Sequence, residues 1–139
     1  LCLVHFFAGI IGKKLLLRVS DMLDTTKKPI VAADSMIKNV IIEISEKRLG
    51  VTAVIENEKV IGIITDGDIR RMLNKTENIS GLTAQEIMTK NPKTIKSTDM
   101  VSDALNILED FSITQLVVVD NGEYKGVIHL HDILKEGII

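Results

Sequence analysis

The strongest constraint on this chain is that it repeats itself. Moving the segment Val31–Asp68 along by 64 positions lays it on Ile95–Asp132 without a gap. Met36, Val54, Asn57, Gly62, Ile64 and Asp68 meet their own kind at Met100, Val118, Asn121, Gly126, Ile128 and Asp132. The apolar pattern agrees further than the identities do. Met36, Ile37, Val40, Ile41 and Ile44 recur as Met100, Val101, Ala104, Leu105 and Leu108. Spacings of three and four put each set on one helical face. A period of this length signals one supersecondary unit made twice. A copy of roughly 60 residues buries too little surface to be comfortable alone.

Each copy reads as β-α-β-β-α. Ile30–Val31 and Thr94–Ile95 form short leading strands, and Asp34-Ser35 and Thr98-Asp99 are placed to cap the amphipathic helices. Val51–Ile55 and Leu116–Val119 are apolar, mainly β-branched runs of strand length. Turn chemistry follows at Glu56–Lys59 and at Asp120–Glu123, where Asn121-Gly122 is the hairpin dipeptide. Val60–Ile64 and Tyr124–Ile128 return as the paired strands. Gly62 and Gly126 lie inside them, where glycine weakens a strand unless a backbone or ligand comes close. Short helices close each copy at Asp66–Leu73 and His131–Glu136, the second stopped by Gly137. A helical piece precedes each copy, at Val19–Leu23 and Thr83–Met88, and Thr83–Glu86 fits a capping box. Asn74–Leu82 is a polar linker. The fold class is therefore α/β (α+β), two pseudo-symmetric repeats packed through their sheets.

Composition removes several function classes. With 17 basic and 19 acidic residues the net charge is −2, so no basic excess exists to neutralise nucleic-acid phosphates. Aromatics are 3% of the chain and Trp is absent, which removes the stacking platform of a single-strand binder and makes the core aliphatic. One cysteine, Cys2, forbids an internal disulfide and a Cys-rich zinc site. The apolar stretch Leu1–Gly12 is too short to span a bilayer and lacks the marks of a signal peptide. It reads as a segment that packs on something beyond this chain. The start at Leu rather than Met suggests a fragment or processed product. No Gly-x-Ser-x-Gly or P-loop sequence occurs.

The segments Gly62-Ile63-Ile64-Thr65-Asp66-Gly67-Asp68-Ile69 and Gly126-Val127-Ile128-His129-Leu130-His131-Asp132-Ile133 resemble the motif of the cystathionine-β-synthase (CBS) domain, as a tandem pair (a Bateman module). The resemblance covers Val19 to Gly137. Lys13–Met22, Ile64–Arg71 and Gly126–Leu134 extend the resemblance to the C-terminal part of bacterial arabinose-5-phosphate isomerases. In that family a sugar isomerase (SIS) domain precedes the CBS pair, and the product feeds 3-deoxy-D-manno-octulosonate (Kdo) for lipopolysaccharide or capsule. The family's His-Pro-Gly-Gly-Ala-Leu-Gly segment meets Phe6–Gly12 here, matching only Gly9 and Gly12, with His5 one place off.

The implied organisation is residues 1–18 as the remnant of a linker to a missing SIS domain, repeat one over 19–75 and repeat two over 83–139. The implied function is a cytoplasmic regulatory module without chemistry of its own. It would sense an adenine nucleotide or CMP-Kdo in clefts between the repeats, require no cofactor, and associate as a homodimer or homotetramer. Neither nucleic acid nor membrane is an expected partner. A structural oligomerisation module with no ligand is the alternative.

Two motifs carry the expected site. Thr65 and Asp68 have capping-box spacing. The same pair suits a phosphate for the hydroxyl and ribose hydroxyls for the carboxylate, helped by the helix N-terminus. In the second copy the resemblance gives His129 the phosphate-facing place and Asp132 the ribose place. His129, His131 and Asp132 also read as sparse metal ligands, or as a helix cap with histidines at an interface. A His there becomes a better anion partner when protonated. Arg71, beside Arg70, reads as a solvated helix face or as a phosphate contact. Thr52, Thr114 and Gln115 stand where a polar group reaches a base or sugar, or is satisfied in the core.

Overall fold

The computed structural model describes residues 16–135. The elements are α1 (Val19–Met22), β1 (Ile30–Ala32), α2 (Ile37–Lys47), β2 (Val51–Glu56), β3 (Lys59–Thr65), α3 (Asp66–Lys75), α4 (Ala84–Ile87), β4 (Thr89–Lys90), β5 (Thr94–Ile95), α5 (Val101–Asp110), β6 (Gln115–Asp120), β7 (Glu123–His129) and α6 (Leu130–Lys135). They form a mixed α/β fold with two sheets, ordered β1-β2-β3-β4 and β5-β6-β7. The lead-in strands run parallel to the strand after the long helix, β1 with β2 and β5 with β6. β3 returns antiparallel on β2 with an irregularity between Val54 and Ile55. Leu1–Gly12, with Cys2 and His5, and Gly137 lie outside the described residues.

Of the stripes expected of them the long helices bury Ile37, Val40 and Ile44 on α2, where Met36 is exposed and Ile41 half-buried, and Val101, Ala104, Leu105 and Leu108 on α5. Their starts differ from expectation. The N-caps are Met36 and Met100, not the polar pairs before them. Ser35 instead accepts from the Ala32 amide (3.0 Å) and Asp99 from the Lys96 amide (3.1 Å). Short polar side chains compete with helix by bonding nearby backbone, and here they close a turn. On α5 the Asp103 carboxylate takes the Met100 amide from inside the helix, at 3.3 Å.

Those turns meet the short helices. The Ala84 and Gln85 amides of α4 donate to the carbonyls of Ser35 (2.8 Å) and Ala33 (2.9 Å). The Val19 and Ser20 amides of α1 donate to the carbonyls of Asp99 and Ser97, both at 2.8 Å. These are helix-start donors that no intrahelical carbonyl can reach.

The compact units therefore differ from the sequence repeats. Among the described residues, one unit joins 16–25, Lys93–Asp120 and 125–135, and the other joins Thr26–Pro92 and Asn121–Tyr124. The first has a core of Val19, Ile95, Val101, Leu105, Leu108, Leu116 and Ile128, among others. The second is built on Val31, Val40, Ile44, Val54, Ile64 and Ala84. The helical piece that precedes each repeat in sequence is thus packed in the unit formed by the other repeat's strands.

The interior glycines follow from this packing. A Cβ on Gly62 would stand 2.5 Å from Met88 Sδ and 2.8 Å from the Thr89 carbonyl oxygen. A Cβ on Gly126 would stand 3.1 Å from Leu23 Cδ1, at a backbone φ of 143°. Met88 and Leu23 are the C-caps of α4 and α1. The close approach expected at these strand glycines is made by the protein itself.

Candidate functional site

In the first repeat, β3 ends at Thr65 and α3 begins at once. The Thr65 amide donates to Asp68 Oδ2 (2.9 Å), and the Thr65 hydroxyl accepts from the Asp68 amide (3.2 Å), so the capping box is formed. Asp68 is buried, with 7% of its surface exposed. Its carboxylate also accepts from Arg71 Nη2 at 2.5 Å and from the Thr89 hydroxyl at 3.2 Å. A carboxylate offers about four lone-pair positions, and the Thr65 amide and hydroxyl, Thr89 and Arg71 take them up. Arg71 itself is 65% exposed at its side chain. Its guanidinium lies over the first turn of α3, where a Cβ on Gly67 would be 3.5 Å from Nη1 and 3.7 Å from Nη2.

Thr89 is the residue that sequence reasoning missed. It lies on β4, a two-residue strand paired to β3 through Gly62↔Lys90 and Ile63↔Thr89. Two residues carry no periodicity. The signal for it is Gly62, whose bare Cα lets the Met88 side chain and the Thr89 carbonyl approach β3. Thr52 is wholly buried on β2, opposite Ile64, and donates weakly to the Ala53 carbonyl at 3.3 Å.

The second repeat builds the same corner from different chemistry. β7 ends at His129, in the place of Thr65. His129 Nδ1 accepts from the His131 amide at 2.9 Å, a local turn that leaves the ring proton on Nε2. The two imidazoles meet edge to face at 6.4 Å. Burial pushes the His129 pKa below its usual range; Asp132 opposes this and His131 adds to it. Asp132 is exposed, as is His131, and its carboxylate makes no hydrogen bond to a described residue. Thr114 is exposed, and its hydroxyl donates to Gln115 Oε1 at 2.9 Å. Its carbonyl accepts from the Leu130 amide at 2.8 Å, as the Gly50 carbonyl accepts from Asp66 at 3.1 Å. The strand-to-helix corners thus correspond in backbone and differ in side chain.

Among the described residues no cluster of three His, Cys, Asp or Glu side chains is arranged to hold a metal, and no helix is long and apolar enough to cross a membrane. The chemistry on offer is hydrogen bonding to an anion and to hydroxyls. One corner is already satisfied internally, and at the other Asp132 is exposed and makes no hydrogen bond among the described residues.

A family model for the CBS domain matches residues 19–75 and 84–138. Over 129 residues the chain is 42% identical to arabinose 5-phosphate isomerase KdsD of Francisella tularensis, covering 91% of this chain and 39% of that protein. It is 35% identical to the protein of the same name from Yersinia pestis, over 94% of this chain and 40% of the relative. The chain thus spans about two-fifths of the length of these relatives. Among solved structures, the CBS domain protein PAE2072 from Pyrobaculum aerophilum complexed with AMP superposes with a TM-score of 0.76 at 25% identity. That alignment covers 86% of this chain and 97% of the other.

Proposed function

The chain belongs to the CBS-domain family, of which it carries two copies, and from this we propose that it is the regulatory, ligand-binding part of an arabinose-5-phosphate isomerase-like protein. The observation that carries the reading is the recurrence of an Asp one turn into a helix, directly after a strand, at Asp68 and Asp132. Such a carboxylate suits vicinal ribose hydroxyls, and the helix start beside it suits a phosphate. An adenine nucleotide is the leading ligand, because PAE2072 holds AMP on the same fold. The relatives named KdsD keep CMP-Kdo as the competing one, as an end product of the Kdo route. In the first repeat Thr65, Asp68 and Arg71 are the contacts, with Thr52 on the neighbouring strand β2. In the second they are His129, Asp132 and the exposed His131, with Thr114 flanking.

The whole protein is then a cytoplasmic SIS–CBS isomerase that self-associates, and this part contributes control and no turnover. A ligand exerts control only through unequal affinity for two arrangements of the protein. The test is a melting screen of the purified chain against AMP, ATP, CMP and CMP-Kdo. A true ligand raises the melting temperature progressively with its concentration, adding about 2.7 kcal/mol of stability at a hundredfold excess over Kd. A flat response to all four favours a purely structural oligomerisation module, and isomerisation of ribulose 5-phosphate by the chain alone would overturn the assignment of control without chemistry.

A further inference from the structure

The two corners differ in what stands on the aspartate, and the difference points to a selectivity. Asp132 is exposed, and the residue 64 positions on from Arg71 is Lys135, also exposed. Asp68 is 93% buried and its Oδ1 is held by the Arg71 guanidinium. A ribose diol can reach Asp68 only after that guanidinium leaves. A neutral nucleoside would then break the ion pair and leave the guanidinium only water in exchange. A phosphate offers the guanidinium a bidentate partner in place of the single Nη2–Oδ1 contact it gives up. The place is prepared for that exchange. Arg71 already lies across the first turn of α3, over the small Gly67, with most of its side chain in solvent. The positive end of the α3 dipole beneath it adds its own attraction for an anion.

Resting on the nucleotide reading above, we propose that Arg71 makes the first repeat selective for phosphate-bearing ligands over neutral nucleosides, by trading Asp68 for the phosphate. In this view Arg71 is a gate as well as a contact. The second repeat lacks the gate, since a lysine ammonium has no planar fork and Asp132 is open.

The test isolates the first repeat with Asp132→Asn and titrates AMP and adenosine calorimetrically, with and without Arg71→Ala. In the Asp132→Asn chain AMP should bind at least about tenfold tighter than adenosine. Adding Arg71→Ala should tighten adenosine and weaken AMP until the two lie within about threefold of each other. Arg71→Lys should keep part of the preference, because charge remains while the fork is lost. Adenosine binding that appears only once Arg71 is removed also supports the gate. An AMP-to-adenosine ratio unmoved by Arg71→Ala overturns the gate and leaves the nucleotide reading standing. So does binding by the unmodified chain that vanishes wholly with Asp132→Asn and is not restored by Arg71→Ala. No binding of either compound by any of these chains, the unmodified one included, overturns both.

Discussion

Thr65 and His129 hold equivalent places and solve the same local problem differently. A threonine at the strand end accepts the Asp68 amide three residues on, whereas His129 accepts the His131 amide two residues on. The histidine then carries a proton-linked liability. Burial lowers its folded-state pKa below the value of 6.5 it would have when exposed. As pH falls through that value the unfolded chain gains a proton that the folded chain resists, so stability falls; above it the effect vanishes. The melting temperature should therefore drop between pH 7.5 and 5.5, and His129→Gln should flatten that part of the profile. The aspartates separate in the same way. Thr65→Val should cost about 1 kcal/mol in urea unfolding through loss of the cap, while Asp132→Asn should leave the melting temperature unchanged. The identity of both motifs was legible in the repeat. Their inequivalence was legible in part, as Thr65 against His129; the bonding of Asp68 was not, because it arises from Thr89 and from the conformation of Arg71, which no spacing rule encodes.

At the scale of elements, β-branched runs and helical spacing placed β2, β3, β6, β7 and the long helices close to where they stand. Caps and short strands were harder, since one side chain decides them: Ser35 and Asp99 close turns and leave the helix starts to Met36 and Met100. The hairpin turns make a sharper comparison. Asn57-Glu58 and Asn121-Gly122 both have positive φ, with Glu58 at 66° and Gly122 at 83°. The left-handed region costs a residue with a Cβ about 1–2 kcal/mol, so Glu58→Gly should raise the urea midpoint, and an unchanged or lower midpoint would contradict the turn geometry. Gly62→Ala should destabilise by about 1–3 kcal/mol through overpacking. Trimming Met88 to Ala alongside it should recover only part of the loss, because the Thr89 carbonyl 2.8 Å from the new Cβ is backbone.

At the scale of the molecule, the repeat was visible in the sequence but the partition into compact units was not. Val19 is buried among residues from 95 to 133, and Ala84 among residues from 31 to 64. Sequence distance hides such contacts, and the short helices are too brief to advertise an apolar face. A chain cut in the polar linker at Gly81 should therefore give two pieces that each melt without a sharp transition, and a cooperative transition should return when they are mixed. Two pieces that each melt sharply alone would contradict the exchange of α1 and α4. The exchange also makes the copies depend on each other. In this arrangement a lone copy would be short of the helix that completes its core, and would have to take one from a second copy. Joining the two copies in one chain makes that loan permanent: each half holds a piece of the other's core, so neither can be removed without leaving the other incomplete.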